Sequence, residues 1–137
     1  MSYLVDTSVL GRLANKSDAY YPVAVRALAE LHRRGESLCI APQNLIEFRN
    51  FATRPTAVNG LGYTVAVAEF KASLFESYFS LVPETPAIFP AWKTLAKPLA
   101  VAGKQVHDAR LGRYLPCPQH HSLADVQCCA FQSSGDY

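Results

Sequence analysis

Short apolar runs alternate with segments of helical periodicity, and this alternation constrains the fold more than any other feature of the sequence. The runs lie at residues 3–5, 38–41 and 81–82, and a polar residue or a proline follows each one. Between them, residues 21–34 and 43–54 carry apolar side chains at the spacing of a helix buried on one face. Strands that alternate with helices usually run parallel, because a helix carries the chain back between them. We therefore predict an α/β protein with a mainly parallel central sheet.

Glycine and proline mark where the predicted helices begin and end. Gly35 follows a basic last turn and ends the first long helix, and Pro55 ends the second. The glycine-rich stretch at residues 56–63 predicts a loop. A proline at position 86 favours the first turn of a later helix. Further helices are predicted at residues 64–79, 85–99 and 104–115.

The helix predicted at residues 64–79 is rich in apolar and aromatic residues. A stripe of such residues at helical spacing is more often part of a core than a docking surface, although the stripe at residues 70–79 and the helix at 21–34 both offer faces for a partner helix. We therefore predict that the apolar positions of this helix belong to the core. The predicted core positions are Ala66, Val67, Phe70, Leu74 and Tyr78.

The composition is that of one soluble globular domain. The chain has 137 residues, of which 50% are hydrophobic and 18% charged, and a formal net charge of +2 that is too small to indicate a nucleic-acid-binding protein. Its apolar runs are shorter than the ~20 residues of a membrane-spanning helix, and Asp6 interrupts any signal-peptide pattern. We expect a cytoplasmic location. The four cysteines do not suggest a secreted disulfide scaffold.

Three carboxylates lie where a parallel α/β sheet usually places its functional site. Asp6 ends the first predicted strand, Glu47 follows the second strand within the next helix, and Asp108 lies early in a later helix. Side chains at the carboxyl ends of parallel strands converge on one pocket. Clustered carboxylates repel each other unless a cation neutralises them, and oxygen ligands suit Mg²⁺ or Mn²⁺. Such a metal can promote attack of water on a phosphodiester.

Each acid also has an ordinary structural interpretation. Asp6 stands where a helix N-cap is expected. Glu47 has the position of a solvent-facing residue at the edge of an amphipathic helix. Asp108 has two potential ion-pair partners within one helical turn, Lys104 and Arg110. Positions relative to the strands, rather than any single acid, favour the metal site.

Several segments of the chain resemble PIN domains, the ribonuclease fold of VapC-type toxins in toxin–antitoxin pairs. The segment LVDTSVL at residues 4–10 resembles the opening of that family, and PQNLIEF at 42–48 resembles the segment with its second acid. The segment VHDAR at 106–110 resembles the segment with the third acid, and the loop at 54–62 resembles a PIN-family connection. The resemblance covers residues 3–111, with three motifs in the family's order.

The resemblance implies an α/β/α sandwich and a metal-dependent endoribonuclease that acts on RNA. It also implies a homodimer and a cognate antitoxin whose tail blocks the site. Asp6, Glu47 and Asp108 would bind Mg²⁺ or Mn²⁺, and Thr7 or Ser8 would assist by hydrogen bonding. Separately, phosphate contacts usually fall to basic residues. The candidates for RNA contact are Arg12, Arg49 and Lys104, with Lys16 and Arg54 near the same approach.

The end of the chain departs from the family. No Lys or Arg follows Arg113, and the PIN-like strand expected there is missing or altered. We divide the chain into a PIN-like domain at residues 1–113 and an atypical tail at 114–137, which is part of the same domain or disordered. Asp125 stands at about the distance of the family's fourth ligand. We hypothesise that the reading frame changed near Gly112, in which case catalysis is weakened or lost.

Two other functions remain open from the sequence. The first is a catalytically inactive PIN-like protein that binds an antitoxin or RNA. The second is a zinc-stabilised binding module in the tail, where thiolate and imidazole ligands are available. Its spacing is not the paired form typical of zinc sites. The candidate zinc ligands are Cys117, His120, His121, Cys128 and Cys129.

Overall fold

A computed structural model describes residues 2–98, 102–103 and 105–111, without the side chains of Leu95 and Asp108. Within these residues the chain forms three strands, which are β1 (Ser2–Leu4), β2 (Ser37–Ile40) and β3 (Ser80–Leu81). Six α-helices accompany them, namely α1 (Thr7–Ala14), α2 (Tyr21–Arg33), α3 (Pro42–Thr53), α4 (Val65–Tyr78), α5 (Ile88–Ala96) and α6 (Gln105–Leu111). A 3₁₀ turn at Thr56–Val58 lies in the loop before α4.

The described strands form one parallel sheet in the order β1-β2-β3. Leu4 of β1 lies opposite Cys39, and Cys39 in turn lies opposite Ser80 of β3. Each crossover contains at least one helix, as parallel pairing requires. The α/β class and the parallel sheet are therefore confirmed. The expectation of a missing or altered final strand, and the boundary at residue 113, fall outside the described residues.

Alternating side chains of the strands enter two hydrophobic clusters on opposite faces of the sheet. Val5 and Ile40 join the larger cluster, which contains residues of α1 to α4. Leu4 and Cys39 join a smaller cluster with Ile88 of α5 and a residue of α6. Because successive side chains of a strand point to opposite faces, helices cover both sides of the sheet. The architecture is an α/β/α sandwich.

The start and stop signals in the sequence are mostly borne out. Gly35 adopts φ 73° after α2, a conformation that glycine reaches at little cost. Thr64 caps α4 by accepting a hydrogen bond from the backbone N–H of Val67. The helix expected from residue 85 begins later, at Ile88, because residues 86–87 form a turn. None of the described helices is long and apolar enough to cross a membrane.

The predicted core face of α4 is wrong. Ala68 and Phe75 are the buried residues of this helix, and Phe75 packs edge-on against Phe48 of α3 with ring centroids 5.0 Å apart. Apolar residues occur on every side of α4, so the periodicity does not decide which face turns inward. The five positions assigned to the core are instead exposed, namely Ala66, Val67, Phe70, Leu74 and Tyr78.

Candidate active site

Two of the predicted acids lie at the same edge of the sheet. The parallel pairing of β1 with β2 brings the ends of both strands together, and the N–H of Val5 donates to the carbonyl of Cys39 at 2.8 Å. Asp6 lies two residues after the end of β1 and is the N-cap of α1. Glu47 lies in the second turn of α3, which starts two residues after β2 ends. The strand ends therefore place Asp6 and Glu47 in neighbouring elements at one side of the sheet.

Side chains from three elements contact the Glu47 carboxylate. Its Oε2 accepts a hydrogen bond from Thr7 Oγ1 at 2.8 Å, and its Oε1 accepts one from Gln43 Nε2 at 2.7 Å. His107 of α6 places Nδ1 3.3 Å from the same Oε1. The Glu47 side chain is 29% exposed. It is therefore partly buried and oriented, rather than free at the edge of an amphipathic helix.

Asp6 has the structural role that its position suggested, as the N-cap of α1. Its Oδ2 accepts hydrogen bonds from the backbone N–H of Ser8, at 3.1 Å, and from the Ser8 hydroxyl. These contacts satisfy an N–H group that the first turn of a helix leaves unpaired. They use one carboxylate oxygen, so Oδ1 remains oriented and available as a ligand. A role of Asp6 in metal binding stays a prediction.

Two buried amides belong to the site and were missed by the sequence reasoning. Gln43 and Asn44, in the first turn of α3, are the buried polar residues of the described chain. Gln43 stands one helical turn before Glu47, a spacing at which side chains meet. Asn44 Oδ1 accepts from the N–H of Ala41 at 2.8 Å, and its Nδ2 donates to Thr7 Oγ1 at 3.3 Å. The spacing was readable in the sequence, but the burial was not.

Helix α6 brings the third motif to the same place. Besides its contact with Glu47, His107 accepts a longer bond of 3.5 Å from Gln43 Nε2 through its carbonyl oxygen. Asp108 is the next residue of this helix, but its side chain lies outside the described atoms. Arg110, one suggested partner of Asp108, pairs with Glu84, and Lys104 lies outside the described residues. The metal role and the pairing of Asp108 therefore stay predictions.

The donor chemistry at this edge fits a hard divalent cation. Mg²⁺ and Mn²⁺ prefer oxygen ligands, and Asp6 and Glu47 supply carboxylate oxygens from adjacent elements. Thr7 occupies one lone pair of Glu47 Oε2, which leaves that oxygen able to accept a further bond. Among the described side chains, no group of three or more potential ligands is close enough to form a complete metal site. A third carboxylate such as Asp108 would therefore be needed.

The other candidate residues have mixed outcomes. Arg12 stacks over the ring of Tyr20 with 4.8 Å to the ring centroid, and Arg49 forms an exposed ion pair with Glu69 of 2.9 Å. Both arginines thus have a contact within the protein, and their contact with RNA stays a prediction. The following candidates lie outside the described residues: Lys104, Asp125, Cys117, His120, His121, Cys128 and Cys129.

Comparison with known proteins supports the fold. No protein-family model matches the sequence, and no curated protein matches it. Among solved structures, a chain of VapBC2 from Rickettsia felis, crystallised with a DNA fragment from their promoter, matches with a TM-score of 0.62 and 14% identity. The match covers 83% of this chain and 79% of that chain. At this identity the likeness concerns the fold alone, which is PIN-like, as the sequence resemblance implied.

Proposed function

We propose that this chain is a metal-dependent endoribonuclease of the PIN type, a cytoplasmic toxin of a toxin–antitoxin pair that hydrolyses RNA phosphodiesters. One observation carries the proposal. The Glu47 carboxylate accepts a hydrogen bond from Thr7, which is the neighbour of Asp6, and lies 3.3 Å from Nδ1 of His107, which is the neighbour of Asp108. The three elements that bear the candidate acids therefore meet at a single side chain.

The proposed centre holds Mg²⁺ or Mn²⁺ through Asp6, Glu47 and Asp108. The bound metal supplies activation of water and neutralisation of phosphodiester charge. Ser8 fixes Asp6 through its hydroxyl and N–H, while Thr7 and Gln43 fix the two oxygens of Glu47. These donors are compatible with ionised carboxylates, since all of them give a hydrogen to the acid. No nucleophilic side chain is required, because the attacking oxygen comes from water.

We also propose a second copy of the chain and a cognate antitoxin as partners. The solved structure with a similar fold is a VapBC2 assembly, which supports association with an antitoxin. In this chain, α4 presents an exposed apolar stripe, defined by Val67, Phe70, Leu74 and Tyr78. Exposed apolar stripes of this kind commonly mark protein interfaces. The stripe supports a protein partner on the helix that sequence reasoning assigned to the core.

The decisive experiment is an RNA cleavage assay with and without Mn²⁺. It compares the unmodified chain, its Asp6→Asn variant, and a version whose residues after 111 are replaced by a PIN-like C-terminal strand. We expect Mn²⁺-dependent cleavage that is greatest in the version with the replaced end and that Asp6→Asn abolishes. Asp6→Asn keeps a side-chain oxygen that can cap the helix, so we expect this variant to fold. A loss of cleavage would then report the lost carboxylate rather than a lost fold.

Each outcome of this assay has a definite meaning. Unchanged turnover in the purified Asp6→Asn variant would remove Asp6 from the site. Cleavage by the replaced version alone would identify the present chain as an inactive PIN-like protein. An absence of metal-dependent cleavage in both versions would contradict the proposed nuclease function.

A further inference from the structure

Asn44 is a fully buried polar residue, and both the oxygen and the nitrogen of its side-chain amide form hydrogen bonds. It lies in the first turn of α3, where Oδ1 accepts the N–H of Ala41 at 2.8 Å. Its Nδ2 lies 3.3 Å from Thr7 Oγ1, and that oxygen lies 2.8 Å from Glu47 Oε2. Burying an amide is unfavourable unless its polar atoms are hydrogen-bonded. The side chain therefore links the start of α3 to the start of α1 and, through it, to the acid.

The donor and acceptor chemistry of the groups determines the direction of each hydrogen bond in the series from Ala41 through Asn44 and Thr7 to Glu47. A backbone N–H can only donate, so the Asn44 atom that faces Ala41 must be the oxygen. The amide nitrogen consequently faces Thr7, and because it can only donate, Thr7 Oγ1 accepts that bond. A hydroxyl has one proton, and the remaining partner of the Thr7 hydroxyl is Glu47 Oε2. The Thr7 proton is thus directed to the carboxylate.

We propose that Asn44 is a positioning residue for the metal centre, which directs the Thr7 hydroxyl towards Glu47 and so holds Oε2 in a ligand-ready orientation. The inference rests on the proposed function and deepens it, since it adds a residue that acts on the site through another side chain. Hydrogen-bond partners of metal ligands commonly influence metal affinity by 10–100-fold. A structural role alone would require only the bond from Ala41 to Oδ1, which completes the start of the helix.

The test is a double-mutant cycle read by Mn²⁺ affinity, with free Mn²⁺ measured by electron paramagnetic resonance. The proteins are the full chain, Asn44→Ala, Thr7→Val and the double variant. Both substitutions leave the net charge of the site unchanged, so long-range electrostatics do not enter the comparison. Thr7→Ser keeps the hydroxyl and is the matched control for Thr7→Val.

We expect each single variant to bind Mn²⁺ about 10-fold more weakly than the unmodified chain. The double variant should bind within about 2-fold of Thr7→Val, because Asn44 then has no hydroxyl to direct. Thr7→Ser should retain the original affinity within the same margin. An Asn44→Ala variant that binds Mn²⁺ as tightly as the unmodified chain would overturn the inference. The inference would also be overturned if Asn44→Ala lowered Mn²⁺ affinity by the same factor in the Thr7→Val background as in the unmodified chain.

A second measurement tests the inference without metal, and it can be made even if Asn44→Ala does not fold. It is the distance between Thr7 and Glu47 in a crystal structure of another Asn44 variant. Asn44→Ser keeps an oxygen that can accept from Ala41, but its shorter side chain has no amide N–H to donate to Thr7. In a metal-free crystal structure of this variant, we expect the Thr7–Glu47 contact to open beyond hydrogen-bond distance, about 3.5 Å. Retention of the contact would overturn the inference. Failure of the unmodified chain to bind Mn²⁺ saturably would instead contradict the proposed metal centre.

Discussion

Gln43 connects the two helices at the site, because one amide nitrogen donates to Glu47 of α3 and reaches the carbonyl of His107 in α6. Gln43→Met keeps the length of the buried side chain but removes the donor. We expect Mn²⁺ affinity, measured by isothermal titration calorimetry, to fall about 10-fold, as for other residues that support metal ligands. Mn²⁺ affinity should fall because Glu47 would lose the hydrogen bond that orients its carboxylate.

Trp92→Phe is the control for this prediction. Trp92 also holds α6, through a 3.1 Å bond from Nε1 to the carbonyl of Val106, but it does not bind Glu47. This variant should lower thermal stability while Mn²⁺ affinity stays within about 2-fold, since a lost bond that touches no ligand costs stability alone. If Gln43→Met behaved like Trp92→Phe, Gln43 would be a packing residue.

Phe48 follows Glu47 in α3 and anchors that helix in the larger hydrophobic cluster. Its side chain is fully buried and contacts Phe75 edge-on. Phe48→Ala should therefore reduce the free energy of unfolding by about 3–5 kcal/mol in urea denaturation. Ile46→Ala is the matched control on the same helix, because Ile46 is 70% exposed and should change stability by less than about 0.5 kcal/mol. Equal losses at the two positions would contradict the burial of this face.

At the scale of single residues, the sequence located the two acids that the structure brings to this edge of the sheet, but not the buried amides beside Glu47. The metal role of the acids stays a prediction. Asp6 and Glu47 could be located because strand ends are visible in the sequence, and side chains at the carboxyl ends of parallel strands lie near one another. Gln43 and Asn44 were missed because an amide near a helix start is usually a capping or surface residue. Their importance comes from burial against α1 and α6, and burial by a distant element leaves no local pattern.

At the scale of the elements, two positions that follow helices α2 and α3 require glycine for different physical reasons. Gly35 ends α2 with a positive φ and open space around it. Gly60 lies in the loop after α3, where an added Cβ would stand 2.0 Å from the carbonyl oxygen of Arg54. Gly35→Ala should cost about 1–2 kcal/mol, the penalty of the left-handed conformation for an L-residue.

Gly60→Ala should cost more than Gly35→Ala, because the loop backbone must move to relieve the clash. The loop is tied to α3 by bonds such as Gly62 N–H to the Arg54 carbonyl at 2.9 Å, so movement disrupts several contacts. Urea denaturation measures both losses. A Gly60→Ala variant as stable as the original chain would show that the loop yields freely. The sequence predicted this loop from its glycines, but not the close approach.

The helix α2 offers a pH-dependent test at its C-terminal end. Glu30 pairs with Arg33 and Arg34, and the bonds to Arg33 and then Arg34 lower the pKa of Glu30 from 4.5 to about 2. A lowered folded-state pKa stabilises the fold above pH 4.5, and this contribution is lost as the pH falls towards 2. The Tm difference between the original chain and Glu30→Gln should therefore be small at pH 7, because the pair is exposed. It should decrease as the pH falls towards 2 and vanish below that pH. A difference that persists there would contradict the ion-pair origin.

At the scale of the whole molecule, the order of elements and the parallel sheet followed from the alternation of periods, since each strand and crossover has its own local signal. The sequence pattern does not predict which face a helix buries when apolar residues occur on all its sides. Helix α4 shows this directly: Phe75 reaches Phe48 and is buried, whereas Phe70 and Tyr78 are 66% and 78% exposed. Only the position of α3 beside α4 decides between these faces, and that position depends on long-range contacts.

The exposed stripe of α4 leads to a prediction about the assembly. If a second copy covers the stripe, a charge placed there must be desolvated or must break the contact. Phe70→Glu should therefore shift the chain from dimer towards monomer in sedimentation velocity. Val58→Glu is the control, because Val58 is 56% exposed but lies in the loop before α4, and it should leave the dimer intact. A Phe70→Glu chain that sediments as the dimer would place the homodimer interface elsewhere. The stripe would then remain available to the antitoxin, which addition of antitoxin to the same variant would test.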